Sequence, residues 1–409
     1  MPQEPAHGSS THRNHIVKAL FLSFAISLAL SLPPIVRAGD VDWGPDIYPK
    51  RNIFPSFLIG TARVDLPEKL FASWGDNHIG DPQGVIGIFV SGVDAGSKVE
   101  VVVRANDYMS ESRLMARLED PAEDLIIHPK LSLKYGALAK VSQAVPLDIT
   151  IGLKVNGKSL GEKTVTTTLR PINDCLFGVE ETADEGEEPS VSDYSWLFAA
   201  YVNENHPWVD RILREALDTG LVESFDGYQS GEVDTVLLQI FAIWNVMQRH
   251  GLKYSDITTN AAVDKGVYSQ HVRLFDESVT AAQANCVDGS VLLAAILRKI
   301  GLRPSLVLIP GHMFLAVDLD DESTIGIETT MMGARDLRPA KGGSRKLKNL
   351  EDHNNEESWD SFEAAVNAGM ETLEKNQEKI DSDDLDYQII DIAKAREVGI
   401  LPITYSKKE

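Results

Sequence analysis

The pattern of hydrophobic and polar positions divides the chain into a β-rich part and a helical part. Short β-branched or alternating stretches recur between Pro82 and about Asp174, as in an all-β domain. The Asn156-Gly157 pair lies between two of them and favours a two-residue hairpin turn. The predicted strands are Val85–Val93, Lys98–Ala105, Arg113–Leu118, Asp124–Tyr135, Leu147–Val155 and Lys163–Leu169. Residues 82–174 are therefore predicted to form an antiparallel β-sandwich.

Two segments border this predicted sandwich. Residues 39–80 are rich in Pro, Gly and aromatic side chains without a sustained period, so we expect an irregular segment or one or two strands packing on the sandwich. Residues 178–192 contain six acidic residues and no basic residue, which is typical of a solvated linker or an exposed loop.

Hydrophobic residues follow a helical period beyond residue 192, and residues 193–409 are predicted to form a second domain. A proline in the first helical turn, Pro207, introduces one of the helices. The predicted helices are Trp208–Leu217, Val233–His250, Ser290–Lys299, Glu357–Lys379 and Asp386–Val398. Apolar strands follow the third of them, so the predicted fold class is α+β.

The first 38 residues have the pattern of a signal peptide. Three basic or titratable residues, Arg13, His15 and Lys18, precede a short apolar run, and Val36-Arg37-Ala38 supplies small residues for cleavage before Gly39. The apolar run is short for a bilayer span, although an uncleaved anchor is the alternative. The mature chain is therefore expected to be secreted or periplasmic, with no stable membrane insertion after cleavage.

Composition excludes several functional classes. The 409 residues are 43% hydrophobic and carry a formal net charge of −22, which disfavours binding to nucleic acid. The two cysteines, Cys175 and Cys286, exclude a disulfide-dense scaffold and a cysteine-rich metal site. We expect no cofactor and no metal, since no phosphate-binding, dinucleotide-binding or zinc-protease motif occurs in a suitable context.

Cys286 lies where a nucleophile gains most from its surroundings. It directly precedes or begins the helix of Ser290–Lys299, for which Asn285 or Asp288 is the candidate cap and Gly301 the end signal. Unsatisfied N–H groups and the helix dipole favour an anion there, so they favour a thiolate and stabilise an oxyanion.

A hairpin after this helix carries two further candidate residues. Strand Pro304–Pro310 leads into a second strand from Gly311, and Thr324–Thr330 is predicted to return beside it. A hairpin centred on Asp320 places His312 directly opposite Glu328, on one face of the sheet. The carboxylate can then hold one ring nitrogen while the other accepts a proton from sulfur.

The order of cysteine, buried helix, strand, histidine, strand and acid resembles the transglutaminase-like superfamily, which shares its core with papain-like cysteine proteases. The resemblance covers about Gln270 to Met331, including His312 with an aromatic residue two positions later and Glu328 with a threonine two positions later. It implies a helix with the cysteine at its N-terminus packed on an antiparallel sheet. The resemblance does not extend to residues 82–174, where the strand spacing by itself predicts a sandwich of immunoglobulin-like size, although β-sandwich companions occur in this superfamily. It also implies acyl transfer at an amide through Cys286, His312 and Glu328.

The chain departs from the superfamily pattern in three places. Glu328 replaces the more common aspartate, and the stretch before His312 is too short for the loop that often shapes the acyl-donor groove. The upstream residue that assists the oxyanion is not evident, and Gln270 and Gln283 are the candidates.

Several alternatives remain open on sequence alone. Cys286 can form a disulfide with Cys175 in an oxidising compartment. Among the other histidines, His271 is a second candidate for the site. The predicted enzyme is a peptidase, amidase or transamidase with a protein or peptide substrate, and the rival is a non-catalytic binding or scaffold protein that keeps the fold.

Overall fold

The structure, a computed structural model, describes residues 41–64, 77–181, 190–255, 265–333, 353–382 and 384–404. The predicted signal peptide, residues 1–38, lies outside them. The chain divides into two units, of which one comprises residues 196–259 and 271–409 and the other residues up to 195 together with 260–270, within the described ranges. We call these the α+β unit and the β unit. In the described residues, no helix has both the length and the hydrophobicity that crossing a membrane requires.

The strands and helices have the following bounds. The strands are β1 (Asp42–Ile47), β2 (Asn52–Ile53), β3 (His78–Gly80), β4 (Ile86–Ser91), β5 (Lys98–Val103), β6 (Ser112–Arg117), β7 (Leu125–His128), β8 (Val145–Val155), β9 (Lys158–Leu169), β10 (Asp174–Glu180), β11 (Val191–Asp193), β12 (Lys253–Tyr254), β13 (Val267–His271), β14 (Gln283–Ala284), β15 (Pro304–Ile309), β16 (His312–Asp318), β17 (Thr324–Ile327) and β18 (Gln388–Asp391). The α-helices are α1 (Pro55–Gly60), α2 (Tyr135–Leu138), α3 (Pro207–Asp218), α4 (Val233–Arg249), α5 (Phe275–Ala281), α6 (Cys286–Lys299), α7 (His353–Ile380) and α8 (Ile392–Glu397). Short 3₁₀ helices span Ser195–Tyr201 and Thr329–Met331.

The β unit contains a five-stranded sheet, a four-stranded sheet and a smaller third sheet. Their strand orders are β2-β9-β8-β5-β6, β1-β4-β7-β3 and β11-β10-β13. The predicted strands between residues 82 and 174 are present, except that Asp124–Tyr135 is extended only over Leu125–His128 and Tyr135 begins helix α2. The pairs formed among strands β4 to β9 are antiparallel, which confirms the predicted antiparallel arrangement. The two parallel pairs, β2–β9 and β3–β7, are made by β2 and β3 of the preceding segment.

The segment preceding the predicted sandwich contributes more than one or two packed strands. Strands β1 and β3 belong to the four-stranded sheet, and β2 extends the five-stranded sheet. The hairpin prediction at Asn156-Gly157 is confirmed, because Val155 pairs with Lys158 and the two turn residues have φ values of 49° and 80°. Two consecutive positive φ values are what the predicted hairpin turn requires.

The acidic segment 178–192 does not simply link two domains. Its ends are strand residues, since β10 pairs antiparallel with β11 in the register Gly178↔Asp193 to Glu180↔Val191. Residues 182–189 lie outside the described residues. The segment therefore connects two neighbouring strands of one sheet. Strand β11 and most of β13 belong to the β unit.

The α+β unit is organised around α6 and a four-stranded antiparallel sheet of order β17-β16-β15-β18. Helix α6 is apolar almost all round and buried from Val287 to Leu297, and it contacts β15 and β16. Burying a leucine or isoleucine side chain contributes about 1.5–3 kcal/mol. Several such side chains therefore fix this helix, and with it the cysteine at its start.

The C-terminal prediction is half wrong. Residues 388–391 of the predicted helix Asp386–Val398 form β18, which pairs with β15 in the register Ser305↔Asp391 to Leu308↔Gln388. Helix α8 begins only at Ile392, where the Asp391 side chain accepts a hydrogen bond from the Lys394 amide. Pairing with β15 therefore determines the conformation of residues 388–391, and their weak local helical pattern does not.

Candidate active site

The N-terminus of α6 is held by a reciprocal capping box. Asn285 is the cap, and its side chain accepts a hydrogen bond of 2.8 Å from the Asp288 amide. The Asp288 carboxylate in turn accepts one of 3.1 Å from the Asn285 amide. Cys286 is therefore the first residue of the helix and is half-buried. The geometry of a helix start leaves the amides of Cys286 and Val287 without intrahelical acceptors, so both are suited to bind an anion.

His312 begins β16, directly after a two-residue turn. Ile309 pairs with His312, and the turn consists of Pro310 and Gly311, whose φ is +71°. Proline followed by a residue of positive φ suits a type II turn. The tight turn fixes the register of the hairpin and holds the imidazole at one end of the sheet. The Phe314 ring lies nearly parallel to the imidazole, with 6.3 Å between centroids.

Glu328 lies one residue beyond β17 and hydrogen bonds to the imidazole. Its Oε2 is 2.6 Å from His312 Nε2. Its Oε1 accepts hydrogen bonds from the Thr330 amide at 3.1 Å and the Thr330 hydroxyl at 2.8 Å. The carboxylate is buried and both of its oxygens are engaged, so its orientation is fixed. With Nε2 occupied, Nδ1 is the ring nitrogen that remains for Cys286.

The predicted hairpin register is wrong, although the predicted contact forms. The observed hairpin is centred on Asp321, and Asp318 pairs with Thr324. Continued by one pair, this register places Glu328 opposite Phe314 and makes His312 its diagonal neighbour. Moving the centre of a hairpin by one residue shifts the pairing by two, so each side chain keeps its face. The longer arm of glutamate suits this diagonal contact.

A threonine joins the carboxylate-bearing turn to the cysteine-bearing helix. The Thr329 hydroxyl lies 3.4 Å from the Cys286 carbonyl oxygen and 3.3 Å from the Ser290 hydroxyl, which itself donates to that carbonyl at 2.7 Å. A Cβ at position 289 would lie 2.9 Å from the Thr329 hydroxyl oxygen, so glycine is needed there for the close approach. The spacing between Glu328 and Cys286 is thus set by direct contacts.

The electrostatics of the site favour a charged imidazole. A hydrogen bond with Cys286, followed by the one with Glu328, raises the pKa of His312 from 6.5 to about 10 despite the opposing effect of burial. Burial opposes ionisation of Glu328, but hydrogen bonds from His312 and Thr330 and the imidazolium charge outweigh it and lower the pKa of that carboxyl. A protonated imidazole paired with an ionised Glu328 carboxylate is the arrangement that these two shifts describe.

Helix α7 covers the outer edge of β17 and holds the backbone of Glu328. The Glu328 amide donates to the Ala365 carbonyl at 2.9 Å, and the Gly326 amide to Met370 Sδ at 3.2 Å. The backbones meet closely, since a Cβ at Gly369 would lie 2.4 Å from the carbonyl carbon of Gly326. The edge amides that would pair with a further strand are therefore satisfied by a helix.

The remaining sequence-predicted residues lie elsewhere. Cys175 is fully buried in the β unit and, like Cys286, is free, so the alternative disulfide does not form. Gln283 is exposed in β14, and Gln270 lies in β13 within the β unit, so the oxyanion role of either stays a prediction. In the part of the chain that the structure describes, no cluster of histidine, cysteine and carboxylate side chains could hold a metal.

Two contacts of the site escaped the sequence analysis. Arg273 pairs with Asp288 at 2.6 Å, and Thr329 connects the two halves of the site. An acidic residue at the third position of a helix indicates a capping box, and its place in a buried helix indicates that further hydrogen-bond donors surround it. The identity of that partner depends on the tertiary fold.

Comparison with known proteins assigns neither a family nor a function to the chain. A scan against models of protein families finds no match, and a search of curated proteins finds no relative.

Proposed function

We propose that the α+β unit is a cysteine-dependent acyl-transfer enzyme acting on an amide bond of a protein or peptide. The observation that carries the proposal is the fixed His312–Glu328 pair at 2.6 Å, combined with the effect of Cys286, which is the largest cause raising the pKa of His312. The order of cysteine, helix, strand, histidine, strand and acid, which resembles the transglutaminase-like and papain-like superfamily, supports the proposal, and we propose an immunoglobulin-like sandwich as its companion. An aligned cysteine, imidazole and carboxylate is the usual signature of an activated thiol.

The chemistry assigns one role to each side chain. The Cys286 thiolate attacks the amide carbonyl carbon, and the oxyanion that forms accepts hydrogen bonds from amides at the start of α6. The His312 imidazolium then gives its proton to the leaving amine, and the carbon–nitrogen bond breaks to leave a thioester. Water or a second amine attacks the thioester while His312 takes its proton, and the thiolate returns. Glu328 holds the ring so that Nδ1 faces sulfur.

Labelling tests this proposal directly. Purified protein is treated with electrophiles built on peptide amides, and the modified residue is identified by peptide mapping. We expect labelling of Cys286 that is lost in Cys286→Ala and retained in Cys175→Ala. Absence of labelling in the wild-type protein, with the thiol free, would favour the non-catalytic scaffold.

Export is a separate part of the proposal. The basic and apolar leader supports secretion or delivery to a periplasm, with cleavage before Gly39. N-terminal sequencing of the native protein tests it. A cytosolic protein that still begins at Met1 would contradict the proposed compartment and leave the chemistry to be judged on labelling alone.

A further inference from the structure

A buried carboxylate lies two residues after the proposed nucleophile. Asp288 is fully buried in the first turn of α6. Its Oδ2 accepts hydrogen bonds from Arg273 Nη1 at 2.6 Å and the Asn285 amide at 3.1 Å. Its Oδ1 accepts one from the Arg273 amide at 2.8 Å. Arg273 thus binds both oxygens, through its backbone and its guanidinium.

The position of this carboxylate conflicts with the chemistry of the thiol. A helix N-terminus favours an anion through a partial charge of about +0.5, and a full negative charge in the first turn outweighs it. Like charges at short range disfavour ionisation, most strongly where water is excluded. Asp288 fixes the helix start through the capping box, but alone it would oppose a thiolate at Cys286. Arg273 supplies the opposite charge in direct contact.

The charges around the helix start can be compared with and without that arginine. The first turn of α6 carries Asp288, β16 carries His312, and the turn after β17 carries Glu328. Asp210 of helix α3 pairs with Lys299 at 3.4 Å, but this pair lies at the opposite end of α6 and is not part of the group around the helix start. The group around the helix start consists of a Cys286 thiolate, a His312 imidazolium and the carboxylates of Asp288 and Glu328. Its net charge is −1 when Arg273 is included and −2 when it is not.

We propose that Arg273 is a positioning residue that keeps Cys286 reactive by neutralising Asp288, which lets one buried carboxylate cap the catalytic helix without suppressing the thiolate. This inference rests on the proposed function, because it concerns the state of the same thiol. It adds a residue from outside the cysteine, histidine and carboxylate set, and it explains why a charged side chain tolerates complete burial at this point.

The test measures alkylation of Cys286 by iodoacetamide between pH 5 and pH 9 in full-length protein. Arg273→Met removes the charge but keeps a long apolar side chain. We expect its alkylation rate at pH 6 to fall by about tenfold, the effect of moving the pH profile by about one unit. Arg273→Met combined with Asp288→Asn removes both charges and should return the rate to within about threefold of wild type. The matched control is Arg214→Met, which breaks the exposed Arg214–Asp218 pair and should change nothing.

The outcomes separate the inference from the function it rests on. A wild-type thiol that alkylates slowly at pH 6 would overturn both. A fast wild-type thiol with Arg273→Met equally fast would overturn only the inference. The inference would also fail if the double variant stays as slow as the single one, since Arg273 would then act by packing alone. If Arg273→Met does not fold, Arg273→Lys, which keeps the charge, and the double variant carry the test, and slow alkylation in either variant overturns the inference.

Discussion

Replacing Glu328 with glutamine tests whether the carboxylate controls the imidazole. The glutamine oxygen can keep both hydrogen bonds from Thr330, so the fold around the turn should persist. Its NH₂ group then faces His312 Nε2, which must become an acceptor, and the ring proton moves to Nδ1 beside sulfur. A neutral ring in that tautomer cannot accept the thiol proton, and an imidazolium would set two donors against each other.

The magnitude follows from the contacts that are lost. A hydrogen bond to a charged group contributes about 1.5–3 kcal/mol. The wrong tautomer adds to this loss, and the equivalent carboxylate-to-amide change in a serine protease triad reduces kcat about 10⁴-fold. We expect Glu328→Gln to reduce acyl-enzyme formation by roughly two to four orders of magnitude, or about 3–5 kcal/mol. Glu328→Asp should retain part of the activity, since it keeps the charge on a shorter arm.

Two measurements with matched controls check this expectation. Single-turnover acylation reports the chemical step, and the pH profile of iodoacetamide alkylation reports the thiolate without any substrate. Glu322→Gln makes the same chemical change at an exposed position of the same hairpin and should behave as wild type. A Glu328→Gln rate within about threefold of wild type in both assays would refute the assignment of Glu328 as the residue that orients His312.

Three further predictions concern the thiols, the imidazolium and α7. In native protein iodoacetamide should modify Cys286 alone, because burial and then the neighbouring Asp174 raise the pKa of Cys175, and mass spectrometry that finds Cys175 modified before unfolding would contradict this. The folded-state pKa of His312, about 10, exceeds the usual 6.5, so its stabilisation is complete below pH 6.5 and disappears as the pH rises through 10; urea unfolding of wild type and His312→Gln should differ most below pH 6.5 and converge near pH 10. Gly369→Ala should lower the free energy of unfolding by about 1–3 kcal/mol through overpacking against Gly326, whereas Gly136→Ala, with no heavy atom within 4 Å of the added Cβ, should not, and equal melting temperatures for the two variants would refute the close contact.

Local patterns account for most of the predicted elements. Helix α6 combines a strong cap, a continuous apolar stretch and a terminal glycine, and its prediction needs no tertiary information. The Asn156-Gly157 hairpin is equally local. The residues of strand β18 are predicted as helix because their extended conformation comes from pairing with β15. The local pattern cannot contain that information.

In the candidate site, too, some features follow from the local sequence and others depend on tertiary packing. Sequence order brings Cys286, His312 and Glu328 together as candidates, and their shared face survives an error in the hairpin centre. The contacts that hold the site, from Arg273 to Asp288 and from Ala365 to Glu328, join residues 15 and 37 positions apart. Such pairings depend on how the elements pack, which no periodicity encodes.

The path of the chain limits how this protein can be dissected. After α4 the chain returns to the β unit, because β13 pairs there with β10. A fragment that starts at residue 193 would keep Cys286 but expose the edge of β13 that β10 covers, since β10 lies entirely before that cut. Truncation is therefore a poor means of isolating the thiol chemistry, because the inactivity of such a fragment would result from the disrupted sheet and would say nothing about Cys286. Point substitutions in the full chain are the sound basis for genetic and biochemical work on this site.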